Sequence, residues 1–141
     1  MKRIAIAAGI VSMLALPFLG NWLRRIPEAR CALDGGALVT SYRVRLADAQ
    51  GQERDFCCIR CAQLWLERRE QPARAIWVAD ETSGVMIEAE RAHFVRSLVV
   101  TTPTTGNRIH AFRDLADAER HAEKCRGTIL TGGDRPFAIR E

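Results

Sequence analysis

No stretch of this 141-residue chain carries a run of basic residues, so a nucleic-acid partner is a poor reading of its formal net charge of +4. Two of the 21 lysines and arginines are Lys2 and Arg3 at the N-terminus, and the rest nearly balance 17 acidic residues. Low-complexity segments are also missing. With 48% hydrophobic and 27% charged residues, the composition is that of a folded protein rather than a disordered one. Methionine is scarce: beyond Met1 there are only Met13 and Met86, so no methionine-rich copper motif exists. The three histidines, His93, His110 and His121, include no pair at i, i+4, which excludes the two-histidine helical zinc motif. The chain is too short for a second independent domain. One modest core remains, of the size that a metal or a disulfide helps to hold.

What is present begins at the N-terminus. Lys2 and Arg3 precede an uncharged stretch from Ile4 to Leu23, closed by Arg24 and Arg25. Twenty residues at about 1.5 Å each just cross a hydrocarbon core of roughly 30 Å, with Trp22 at the far interface. The segment Leu16 to Trp22 offers no A-x-A cleavage pattern, so residues 1–25 read as an uncleaved signal anchor. Basic residues flank both ends; with the N-terminus inside, residues 27–141 form a domain on the extracytoplasmic side of the inner membrane.

From Pro27 onward the pattern is one of short elements. Alternation over Leu38 to Leu46 predicts a strand, Asp48 to Gly51 a turn, and Glu53 to Phe56 the returning strand. Cys58, Cys61, Ala62 and Trp65 have helical spacing, which puts the cysteines at a helix N-terminus. Further strands are expected at Ala75 to Val78 and Val85 to Ile87 around a turn at Asp80 to Gly84, and at Leu98 to Val100, Ile109 to Phe112 and Thr128 to Leu130. A short helix is expected near Ala89 to Val95. The last helix has Asp114 as its cap, an apolar stripe of Leu115, Ala118, Ala122 and Cys125, and Gly127 as its end. Phe56 and Phe112 occupy matching places before the two main helices. The fold class is therefore α+β, a small domain whose strand-strand-helix unit repeats.

The chemistry lies in Cys31, Cys57, Cys58 and Cys61. At the first turn of a helix either Cys58 with Cys61 or Cys57 with Cys61 can converge on one ion. The dipole at the helix N-terminus favours thiolate, the form that binds metal or attacks a disulfide. Cys31 opens Cys31-Ala32-Leu33-Asp34-Gly35-Gly36, whose glycines allow a tight turn, and so supplies a third ligand. Such a sulfur-rich set selects Cu(I) or Zn(II) over magnesium or calcium. His110 is the first choice to complete a Cys3His site. Cys125, on the apolar stripe, is expected in the core, as are Trp65 and Trp77. In an oxidising compartment the same cysteines have an alternative use as a structural disulfide.

Two family resemblances rest on these residues. Cys31 with its glycines, followed by Phe56-Cys57-Cys58-Ile59-Arg60-Cys61-Ala62, resembles the treble-clef-like metal knuckle of TRASH domains, and the C-x3-C from Cys57 to Cys61 fits. The spacing departs from it, since 25 residues separate Cys31 from Cys57 where that family has a shorter hairpin. A longer resemblance, from Cys31 to about Leu130, is to the NosL family of membrane-attached copper chaperones that serve nitrous oxide reductase. It is carried by Cys31, the Phe56 to Cys61 junction, Trp77 to Asp80 with Ser83-Gly84, Ile87 to Ala89, Ala92 to Val95, and Gly106 with Ala111-Phe112. That family usually has a methionine just before the glycine matched by Gly106, and this chain has Thr105. Its members are usually lipoproteins, whereas Glu28-Ala29-Arg30-Cys31 is no lipobox. The resemblance implies a divergent relative whose metal site has moved to the thiols of the first half.

These observations lead to one expectation and two alternatives. The chain is expected to be a membrane-anchored carrier of Cu(I) or Zn(II) that hands its ion to a membrane or periplasmic protein client, without catalysing a reaction. A strand entering a helix headed by Cys58-Ile59-Arg60-Cys61, with Thr102-Pro103 as a facing cis-proline, describes instead a thioredoxin-like oxidoreductase. A structural zinc domain that docks a partner shares the same ligands.

Overall fold

The computed structural model describes residues 29–138. The expected anchor, Ile4 to Leu23, lies outside them. Among the described residues no helix is long and apolar enough to cross a membrane.

The first half is a hairpin of β1 (Val44–Ala47) and β2 (Glu53–Phe56), then helix α1 (Ile59–Leu66), then β3 (Ala75–Ala79) and β4 (Met86–Glu88). The turn between β1 and β2 forms because the Asp48 carboxylate accepts the amides of Gln50 and Gln52 and Gly51 takes a φ of +81°. The second half repeats the order with β5 (His93–Arg96), β6 (Ile109–Phe112), helix α2 (Leu115–Lys124) and β7 (Thr128–Leu130). The sheets run β2-β1-β3-β4 and β6-β5-β7, and every pairing is antiparallel.

The two halves match in register as well as in order. Val44 opens β1 opposite Phe56, the last residue of β2, and His93 opens β5 opposite Phe112, the last residue of β6. In each half the strand after the helix returns to the open side of the first hairpin strand. The expected repeat is therefore present as a β-β-α-β unit used twice, with β4 added to the first. One core unites the halves: Val44, Leu46, Phe56, Ile59, Ala62, Trp65 and Val78 pack with Ala89, Ala92, Phe94, Ala111 and Leu130. Helix α1 contributes through Ile59, Ala62 and Trp65, one every three residues, so a single stripe turns inward. Trp65 meets Phe56 edge-on at 5.7 Å between ring centres.

Five expectations of element and burial fail. Only Val44 to Ala47 of the long first strand pairs, because Thr40–Tyr42 closes a 3-10 turn through the Tyr42 amide and the Val39 carbonyl. The helix expected near Ala89 to Val95 shrinks to a 3-10 turn, Ala89–Arg91. The residues after it become β5, the central strand of the second sheet, which buries Phe94 and Val95. Leu98 to Val100 form no strand and stay exposed. In α2, Leu115 is exposed and the inward residues are Ala118 and Ala122; Trp77 is only half-buried.

Candidate metal centre

The site is built where the Cys31 turn docks on the end of β2. Cys31 donates its amide to the Gly36 carbonyl at 2.9 Å and accepts the Gly35 amide at 2.8 Å, with Gly35 at a φ of +71°. Asp34 braces the turn by accepting the Gly36 amide on Oδ1 at 2.9 Å. The Ala32 amide then reaches the Asp55 carbonyl of β2 at 2.8 Å, which brings Cys31 level with the strand that runs into Cys57.

Cys31, Cys57 and Cys61 thereby meet Asp34, with one ligand atom from each within 4.8 Å of all the others. The closest pair is Cys57 Sγ and Cys61 Sγ at 3.4 Å. Asp34 Oδ2 lies 3.5 Å from Cys61 Sγ and 3.9 Å from Cys57 Sγ. Metal–sulfur bonds of about 2.3 Å in a tetrahedral site separate the sulfurs by about 3.8 Å, so an ion fits with small side-chain movements. All three thiols are buried, and Asp34 is exposed above them. The carboxylate marks the open side.

Burial decides the state of the sulfurs. The Cys57 and Cys61 thiols are pushed well above the ordinary thiol range, mainly by desolvation and further by neighbouring sulfurs. The expected thiolate at the helix N-terminus is thus overturned for these two: losing water costs the anion more than the helix dipole returns. Asp34 is shifted the other way, held below the usual carboxylate range by the Cys31 thiol, the Gly36 amide and the Cys61 thiol. In the metal-free protein these are neutral S–H groups facing a carboxylate.

The remaining predicted residues are placed differently. Cys58 caps α1, its sulfur accepting the Cys61 amide at 3.5 Å, and lies 3.9 Å from Cys57 Sγ and 3.3 Å from Thr105 Oγ1. It borders the cluster without joining the mutually close set. His110, expected as the fourth ligand, belongs to a separate group with Glu81 and His121; the position near the thiols is taken by Asp34. Cys125 is half-buried at the C-terminal end of α2 rather than in the core. None of the five cysteines forms a disulfide. The peptide before Pro103 is trans, not the facing cis-proline expected, and among the described residues no strand pair is parallel as a thioredoxin unit requires.

Two neighbours of the site, Asp34 and Thr105, are not among the predicted ligands. Asp34 has a detectable signal, a carboxylate three residues after Cys31 in the same glycine turn. Thr105 has none in spacing, because it arrives from the loop Thr101 to Asn107, closed by the Thr102–Asn107 bridge and by the Gly106 amide on the Thr102 carbonyl at 2.8 Å. No family model matches the chain, and no curated protein matches it. Among solved structures, the crystal structure of the copper chaperone NosL from Shewanella denitrificans is similar, with a TM-score of 0.62 and 23% identity over 72% of this chain and 84% of that one. That likeness establishes the shared fold.

Proposed function

We propose that this protein is a Cu(I) carrier, bound to the inner membrane by residues 1–25 and facing the extracytoplasmic side, that passes its ion to a protein client. One observation carries the reading: three thiols, Cys31, Cys57 and Cys61, converge in a buried site closed by a single exposed carboxylate. A soft, sulfur-only first shell of low coordination number suits Cu(I). The open side under Asp34 lets a client's sulfur approach before the protein's own ligands release, as a carrier needs and a closed structural site does not. The fold shared with a copper chaperone agrees with this reading. Asp34 favours one second reading, a Cys3Asp zinc site, because a carboxylate oxygen is a good ligand for Zn(II) and a poor one for Cu(I).

The oxidoreductase alternative is disfavoured by the same geometry. Its chemistry needs a low-pKa thiolate in the Cys58/Cys61 pair, yet burial holds Cys61 protonated and its close sulfur partner is Cys57. Chelator competition for Cu(I) and insulin reduction, run on wild type and Cys31→Ser, test the proposal. Tight copper retention weakened by Cys31→Ser, with negligible reduction, is expected. No copper retention together with reduction that survives the substitution would install the oxidoreductase.

A further inference from the structure

A second constellation uses none of the cysteines. Glu81 comes from the turn after β3, His110 from β6 and His121 from α2, and one ligand atom from each lies within 4.8 Å of the others. Glu81 is fixed through its amide to the Ala111 carbonyl at 2.9 Å, and the adjoining Asp80 carboxylate accepts the Arg113 amide at 3.1 Å. The turn of the first half is thus held against the second half at this point. The His110 side chain is fully buried, and its ring lies 4.1 Å, centre to centre, from that of His121.

The hydrogen bonding of His110 depends on which ring nitrogen carries the proton. His110 Nδ1 is 2.6 Å from Glu81 Oε2. On the opposite edge of the ring, Nε2 faces Ser97 Oγ at 2.9 Å and the Val99 carbonyl at 3.4 Å; the carbonyl can only accept. The Ser97 oxygen already accepts the Val99 amide at 3.1 Å and can accept a second bond. With a proton on Nε2, the way a metal-ligating histidine is normally oriented, Nδ1 and the Glu81 carboxylate face one shared ion; with the proton on Nδ1, that nitrogen donates to Glu81 and Nε2 accepts the Ser97 hydroxyl. His121 Nε2 is buried and has no hydrogen-bond partner among the described residues. A proton between Glu81 and His110 satisfies those two groups and leaves this buried nitrogen without a partner, whereas an ion drawn to all three groups gives the His121 ring a role.

We infer that Glu81, His110 and His121 form a second metal site, distinct from the thiol cluster, for a borderline divalent cation of the Zn(II) class. Two imidazole nitrogens and a carboxylate oxygen select such an ion over Cu(I), which the sulfurs prefer. Its ligands come from both halves, so occupancy ties the two sheets together. The site stands independently of the carrier reading, because it uses none of the cysteines.

Cobalt(II), a spectroscopic stand-in for Zn(II), separates the two sites. Titrated into the reduced protein, it should give one component with a sulfur-to-cobalt charge-transfer band and a second with d–d bands only, while paramagnetic shifts reach the His110 and His121 rings. His121→Phe, which keeps an aromatic ring against Phe112, should abolish the second component and leave the first. Cys61→Ser should do the reverse. A Zn(II) titration should lose one equivalent in His121→Phe, and the zinc-dependent rise in melting temperature should shrink with it. Absence of the nitrogen and oxygen component from wild type, which a plain Glu81–His110 ion pair would give, overturns the site, and so does its survival in His121→Phe. Loss of the sulfur component alone would count against the thiol cluster and leave this site standing.

Discussion

At the scale of single residues, the behaviour of the thiol site follows from how deeply its sulfurs are buried. Cys57 and Cys61 are protonated at neutral pH because desolvation raises their pKa, and an ion must displace those protons to bind. Both folded-state pKa values lie above the ordinary thiol value, so protons compete at every pH below that range and affinity rises with pH. Each proton released contributes about tenfold per pH unit, so displacing these two protons should raise Cu(I) affinity at least about 100-fold from pH 6 to pH 7. Competition against a chelator of known protonation across this range measures the slope. A flat profile would mean that thiolates exist before metal arrives. Asp34 remains a carboxylate throughout, since its pKa is shifted down. Thr105 presents its hydroxyl to Cys58 at 3.3 Å, at the position where the NosL pattern has a methionine. This chain thus places a hydroxyl at the edge of a thiol cluster where that pattern offers a thioether.

At the scale of elements, the end of α2 shows a local rule satisfied by an unexpected residue. Gly127 was the expected helix terminator, yet the left-handed position is held by Arg126, with a φ of +50°. The Gly127 amide instead bonds the Ala122 carbonyl at 2.7 Å, the long-range bond of a Schellman motif one residue further on. Glycine is needed at 127 for space: an added Cβ would lie 2.7 Å from Val95 Cγ1 and 3.0 Å from the Arg96 carbonyl oxygen on β5. Arg126→Gly should therefore stabilise the protein by up to about 1 kcal/mol. Gly127→Ala should destabilise it by about 1–3 kcal/mol, through overpacking against backbone that cannot retreat. Chemical denaturation of both variants checks the pair, and the opposite order of stabilities would refute this assignment of roles.

At the scale of the whole molecule, what could be read from sequence was whatever depends on near neighbours in the chain. The hairpin at Asp48 to Gly51, strands Glu53–Phe56, Ile109–Phe112 and Thr128–Leu130, and the placing of the cysteines at the N-terminus of α1 all follow from local spacing and turn chemistry. His93 to Arg96 looked helical because its central position in the second sheet comes from β6 and β7, far away in sequence. By the same limit, spacing gives no sign that Thr105 reaches Cys58 across 47 positions; only the family resemblance marks that residue. Helix geometry and a glycine turn made Cys31 with Cys61 and either Cys57 or Cys58 legible as candidates, but not the choice of Cys57 over Cys58. Their protonation was not, because burial is a property of the folded whole. Attachment is a further whole-molecule expectation: Ile4 to Leu23 is long enough to span and has no cleavage pattern. The full-length protein should fractionate with membranes, and a mature form starting near residue 25 in the soluble fraction would contradict it.

Three sulfurs sharing one ion are the centre of the proposed function. X-ray absorption at the copper edge of the Cu(I)-loaded protein counts them directly. A first shell of three sulfurs is predicted for wild type, falling to two in Cys31→Ser. A shell dominated by nitrogen or oxygen, or one unchanged by Cys31→Ser, would contradict it.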